Sequence, residues 1–215
     1  MAAPCRLFVI PARDAAVAAV LRRGPSRWYQ VIRWDTSSDE FTDGAWFRGR
    51  IYEDRCDLSP DGELLVYFCH GGRWRPDYTD SWTGVSRLPW LSALALWPSG
   101  TTYGGGGRFV DNRILILRNG KHDPPHPGHL PHGLELADGK ADRHVSVGEV
   151  EDADWSGFDH KRRLIFARAG KLYRRIKGRD REILDLNDRI PDPVAPPDWA
   201  KRPIGHRPKP SRRAG

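Results

Sequence analysis

CDLSPDGELLVYF, residues 56–68, decides the fold. Its Ser59-Pro60-Asp61-Gly62 centre has the chemistry of a tight turn. Proline presets φ at the second position, Asp61 can bond its own backbone, and Gly62 accepts a positive φ that a side chain resists. The chain must reverse there, between two short strands. After the turn Leu64, Val66 and Phe68 point one way and Leu65 and Tyr67 the other, so both faces are apolar and the strand is expected to be covered on both sides. A lone hairpin is marginal in water, so this one requires neighbours.

Such neighbours are legible on either side. CRLFVI (residues 5–10) reads as a strand ending at Pro11; residues 16–22 fit helix or strand on their own pattern, alanine favouring the one and valine the other, and read as a strand because an alternating segment follows the Gly24-Pro25-Ser26 loop. WYQVIRW (28–34) and residues 41–46 complete an antiparallel meander. Beyond the organising hairpin come SWTGVSR (81–87), LSALALW (91–97) running into Pro98-Ser99-Gly100, and the return strands of RFVDNRILIL (108–117). Residues 120–133, GKHDPPHPGHLPHG, carry too many prolines and glycines for an element. Residues 154–159 read as a further turn before RLIFA (163–167), LYRRI (172–176) and EILDL (182–186). The expectation is one all-β domain over residues 1–190, followed by an extended or disordered Pro-rich basic tail over 191–215.

Composition narrows the function classes. A formal charge of +7 invites a nucleic-acid reading, yet Lys201, Arg202, Arg207, Lys209, Arg212 and Arg213 supply six positive charges with no acid after Asp198, which leaves +1 for the body. Polyanion contact is therefore expected mainly through the tail, and weakly. The nine Trp are expected chiefly as packing. Three cysteines, Cys5, Cys56 and Cys69, match neither a disulfide framework nor a zinc site, which points to a reduced, cytoplasmic setting. No apolar run is long enough to cross a bilayer, so no membrane association is expected. Arginine in excess of lysine points to a GC-rich, bacterial genome.

With the turns aligned, Ser59, Ser99 and Ser156 lie 40 and 57 positions apart. At this point the chain resembles the repeats of TolB-type and WD-repeat β-propellers, whose usual form is an acidic residue, one position, Ser-Pro-Asp-Gly and an apolar strand. Asp57-Leu58-Ser59-Pro60-Asp61-Gly62 with Leu64-Leu65-Val66-Tyr67 matches it fully. Asp154-Trp155-Ser156 with Leu164-Ile165-Phe166 matches its ends, and Trp97-Pro98-Ser99-Gly100 keeps only the turn. The resemblance covers about half the chain by motif. It implies a small propeller-like array of antiparallel blades, about four or five at roughly 40 to 50 residues each, with a protein or small ligand bound at one face.

No catalytic signature accompanies these repeats. Gly-x-Ser-x-Gly is absent, and the cysteines have no recognisable catalytic context. His122, His126, His129 and His132 are the runner-up metal set, for a metal-assisted hydrolase or glycan-acting enzyme. Proline-rich surroundings hold ligands poorly, so no metal or cofactor is expected. Residues 104–107, four glycines, lack the lysine and helix of a phosphate loop and are expected as a close backbone approach, with Tyr103 and Arg108 as adjacent ligand contacts. The remaining candidates for a binding face are Arg55, Asp57, Trp82, Arg87, Trp97 and Asp154, polar or aromatic groups beside the turns. The competing expectation is that Asp57 and Asp154 merely cap those turns.

Overall fold

The computed structural model describes residues 4–119, 123–144, 147 and 150–205. Its described residues form four sheets. The first is the expected meander of β1 (Arg6–Pro11), β2 (Val17–Arg23), β3 (Trp28–Asp35) and β4 (Glu40–Arg48). The second is built on β7 (Leu64–His70), which carries both β5 (Arg50–Ile51) and β6 (Asp57–Leu58) on one edge and β8 (Ser81–Arg87), then β9 (Ala95–Pro98), on the other. A 3-10 turn, Glu53–Arg55, joins β5 to β6. The third holds β10 (Gly107–Phe109), β11 (Ile114–Leu117) and a parallel β12 (Glu135–Leu136). The fourth runs β13 (Trp155–Phe158), β14 (Leu164–Arg168), β15 (Lys171–Ile176) and β16 (Arg179–Asp185). A single helical turn, α1 (Asp198–Lys201), follows.

Alternation along each strand decides which sheets meet. Leu65, Tyr67 and Cys69 of β7 pack on Ile10, Leu21, Tyr29 and Val31 of the first sheet. Leu64 and Val66, one residue out of phase, pack on Phe109, Leu115 and Leu117 of the third. The strand after the Ser-Pro-Asp-Gly turn is thus covered on both faces, as its two apolar faces require. The first sheet is double-faced in the same way, and its Leu7, Val9, Ile32 and Trp34 meet Ile165, Ala167 and Leu172 of the fourth. The packing order is fourth, first, second, third.

Gly62 takes φ +75° at the organising turn, where the Ser59 hydroxyl bonds Asp61 Oδ1 at 2.5 Å and accepts the Leu64 amide at 2.9 Å. The other two turn assignments are corrected. Residues 98–100 are no hairpin turn; they lead from β9, the outer strand of the second sheet, across to β10 of the third. Trp155 to Phe158 form strand β13, and the reversal comes three residues later than Ser156, with Arg162 at φ +59° in the role of Gly62. The turn of the third sheet is instead at residues 110–113. First-hairpin turns therefore begin at residues 12, 59, 110 and 159, spaced 47, 51 and 49 apart. Three of them touch in succession: the Asp14 amide donates to the Pro60 carbonyl at 3.0 Å, and the Asp61 amide to Asn112 Oδ1 at 2.8 Å.

Two proline-rich segments are tied down. The His126 amide donates to the Leu96 carbonyl and the Leu96 amide to the His129 carbonyl, so this segment lies along β9 and covers the sheet edge. In the C-terminal arm Ala200 and Ile204 are buried, Ile204 within the core between the second and third sheets, while Trp199 stays 44% exposed. Among the described residues no helix is long and apolar enough to cross a membrane.

Candidate anion-binding edge

A meander sends alternate turns to opposite edges of its sheet, and here charge is sorted between them. The β3–β4 turn and its flanks hold Asp35, Asp39, Glu40 and Asp43. Arginines gather at the other edge, where β2 ends (Arg23), β3 is approached (Arg27), β4 gives way to β5 (Arg48, Arg50) and β7 gives way to the 71–80 loop (Arg73). A recess of about 620 Å³ lies there, lined by Arg23, Arg27, Arg48, Arg50 and Arg73 with His70 and Tyr29, and by no carboxylate. Among the described residues Arg23, Arg27, Arg48 and Arg73 form no ion pair.

A second recess, about 420 Å³, shares Arg23 and Arg50 with the first and continues it toward the start of β1. Here Arg6, Arg55 and Arg143 join the wall, with the acids Glu53, Asp54 and Asp154. Each acid is engaged: Arg6 Nε meets Asp154 Oδ1 at 3.1 Å, Arg143 Nη1 meets Asp54 Oδ2 at 3.1 Å and Arg50 Nη2 meets Glu53 Oε2 at 4.0 Å. Arg55 is left with carbonyl partners, donating from Nη1 to Thr102 and Gly104 at 2.8 and 2.7 Å, and lies over the Tyr52 ring at 4.7 Å. Burial and then the neighbouring Arg143 charge push its pKa down from the usual arginine value.

Buried donors without acceptors mark both walls. Arg50 Nε and Arg55 Nε are shut off from solvent and have no hydrogen-bond partner, while the equally buried Tyr29 Oη faces the Glu53 carboxylate. Burial, then the Glu53 charge, pushes the Tyr29 pKa up, so its hydroxyl stays a donor. A buried polar group without a partner costs about 1–3 kcal/mol. Two such guanidinium nitrogens, Arg50 Nε and Arg55 Nε, lie behind the walls of the two recesses.

The eight positions singled out in the sequence do not converge. Arg55 and Asp154 share the smaller recess. Asp57 is 3% exposed behind it, where Oδ2 accepts the Phe109 amide at 2.8 Å and lies 3.7 Å from Arg13, and Oδ1 meets His144 Nε2 at 2.9 Å; it ties the second sheet to the third. Trp82 packs edge-on to Phe47 and Tyr78, and Trp97 is core. Arg87 sits at the opposite edge, donating to the Arg202 and Pro203 carbonyls of the C-terminal arm. Arg108 is exposed on β10, on the side away from Gly107 and Phe109, and Tyr103 is 92% exposed.

The glycine run is a close approach: a Cβ at Gly105 would stand 2.0 Å from the Phe68 ring and one at Gly106 2.3 Å from the Arg55 carbonyl. Their amides already donate to Asn119 and Thr83. Of the histidines, His126 accepts the Gly128 amide through Nδ1, His129 Nδ1 meets the Ala93 carbonyl, and His122 lies outside the described residues. Among the described residues no group of three His, Cys, Asp or Glu side chains is arranged to hold a metal ion. The cysteines are free and buried, and burial pushes each thiol pKa up.

Sequence reasoning missed Arg23, Arg27, Arg48, Arg50 and Arg73. The signal was there, in LRRGPSR, FRGR and GGRWR, each arginine group beside a glycine at a strand end. Averaging charge over the body hid it. Comparison of the chain with family models, with curated proteins and with solved structures gives no match.

Proposed function

We propose that the four sheets are blades of a small propeller-like array, and that the protein is a non-catalytic binding module taking an anionic ligand at the arginine-lined edge of its first two sheets. The blade reading is supported by the near-constant spacing of the first-hairpin turns, by sheets that mostly run outward from their first strand, and by turns that bond in succession. It keeps the resemblance to TolB-type and WD-repeat propellers as its rationale, with the repeat frame moved to the turns at residues 12, 59, 110 and 159.

The observation that carries the ligand class is the recess lined by five arginines and one histidine and, among the described residues, by no carboxylate. Pooled guanidinium groups in a concave, partly desolvated site attract anions more strongly than scattered surface charges do. The hydrolase alternative has less support, since Asp57 is engaged by three neighbours and His126 and His129 are engaged in holding their loop.

Titration of full-length protein with labelled inorganic polyphosphate tests this reading. Binding is expected to weaken steeply with salt, and Arg48→Ser with Arg73→Ser to lower affinity about tenfold, since each charged contact contributes about 1 kcal/mol or less at an exposed site. Equal affinity in the double variant, or no binding at low salt, overturns it.

A further inference from the structure

Aromatic rings stand out of the same edge. Trp74, 66% exposed, sits between Arg73 of the larger recess and Arg75, and Tyr103, 92% exposed, sits between the two carbonyls that Arg55 holds. Their loops are bonded together: the Gly100 amide donates to Thr79 Oγ1 at 3.1 Å, and Ser81 Oγ to the Thr101 carbonyl at 3.0 Å. Two large rings are thus presented to water by tethered loops, each next in the chain to a residue or carbonyl tied to the arginine-lined recesses. Most other large aromatics are packed; Trp34, Tyr29, Phe68, Phe109 and Phe166 are fully buried.

We propose that this edge binds single-stranded nucleic acid, the arginines tracking successive phosphates while Trp74 and Tyr103 stack unpaired bases. The proposal rests on the anion-binding reading and narrows it. A groove made of two joined recesses suits a repeating polyanion better than one phosphate. Exposed rings add what a bare phosphate polymer cannot use, a π-face for each base. Duplex bases are stacked inside their helix and out of reach of such rings, and no helix or ribbon projects here to enter a groove.

The test is fluorescence anisotropy of full-length protein with a labelled twenty-nucleotide oligothymidylate and its uridylate counterpart, competed by heparin and by duplex DNA of equal length. Single strands are expected to bind best. Trp74→Ala should weaken that binding about tenfold and leave heparin binding and the salt slope unchanged, and Trp74→Phe should restore most of it. Replacing Arg27, Arg48 and Arg73 together by serine should reduce the slope of log affinity against log salt by roughly 2, at about 0.7 per phosphate contact on a single strand.

Failures are distinguishable. Indifference to Trp74→Ala and to Tyr103→Ala, with heparin and oligonucleotide bound alike, overturns the nucleic-acid assignment and leaves the anion site standing. Tighter binding of duplex overturns it as well. Binding that survives the triple serine variant but is lost when Lys209, Arg212 and Arg213 become serine moves the contact to the tail and overturns both readings.

Discussion

Arginine has opposite fates at the two edges of the first sheet. Where that sheet meets the fourth, Arg174 is nearly inaccessible and grips Asp39 with two hydrogen bonds of 2.6 and 2.7 Å, its Nε 3.2 Å from the fully buried Asp159. Arg163 Nε donates to the same Asp159 carboxylate at 2.8 Å, and both arginines reach the Thr36 carbonyl. At the other edge Arg23, Arg27, Arg48 and Arg73 line one recess with, among the described residues, no carboxylate between them. A body carrying a net charge of about one is therefore not a uniformly neutral surface. Asp39 and Asp159 serve at one edge as cross-sheet ties, and at the other edge Arg23, Arg27, Arg48 and Arg73 are left without acidic partners among the described residues.

The sharpest way to break this contrast is to remove one arginine from each edge. Arg174→Ala should destabilise the fold by about 3–5 kcal/mol in urea denaturation, because it removes a partner of the buried Asp159 carboxylate and both hydrogen bonds to the half-buried Asp39. Arg48→Ala should change stability by no more than about 0.5 kcal/mol, as expected of a surface residue without partners. Comparable losses at the two positions would mean that the second cluster is also structural, and the case for a binding edge would fail.

A smaller effect separates the two aspartates flanking the repeats. Asp57→Ala should cost about 1–3 kcal/mol, because the buried Phe109 amide loses its acceptor and Arg13 and His144 lose a partner. Asp154 is partly exposed, pairing with Arg6 and accepting the Ala169 amide at 3.2 Å. Asp154→Ala should cost about 1 kcal/mol or less. If the order were reversed, the tie between the second and third sheets would not be where the geometry puts it.

How far the sequence could be read depends on the range of the interaction. Most strand positions were legible because alternation and turn chemistry are local: Gly62 needs its positive φ whatever the rest of the chain does. The positions of the first-hairpin turns were not, since Asp159-His160-Lys161-Arg162 makes a reversal like that of Ser-Pro-Asp-Gly with none of its residues in the same place, and Pro98-Ser99-Gly100 has turn letters without a hairpin. β12, two residues in a parallel pairing, carries no local pattern. The arginine edge was illegible for a third reason. Residues up to 50 positions apart, Arg23 and Arg73, become neighbours only after the sheets pack, so a count along the chain sees compensated charge.

Of the two edges compared, acid titration bears on the paired one. Burial by itself would raise the pKa of Asp39, but hydrogen bonds and charge from Arg174 outweigh it, and the net shift is downward from the ordinary 3.8. Asp35 is held at about 2 by the Ser37 hydroxyl and the Ser37 and Ser38 amides. For a carboxylate depressed in the folded state, the stabilisation is complete above its unfolded pKa and disappears as pH falls through the folded one. Stability should therefore hold from neutrality down to about pH 4 and then decline as these groups take up protons. Most of the decline from Asp39 should survive in Arg48→Ser and be blunted in Asp39→Asn, with the slope between pH 5 and 2 as the readout, since the asparagine variant starts from a lower stability. Asp35 bonds only its own turn at the surface, where solvent screens it, so Asp35→Asn should alter that slope less than Asp39→Asn does. Equal slopes in wild type and Asp39→Asn would place the acid-sensitive ties elsewhere and remove the paired edge as the counterpart of the cationic one.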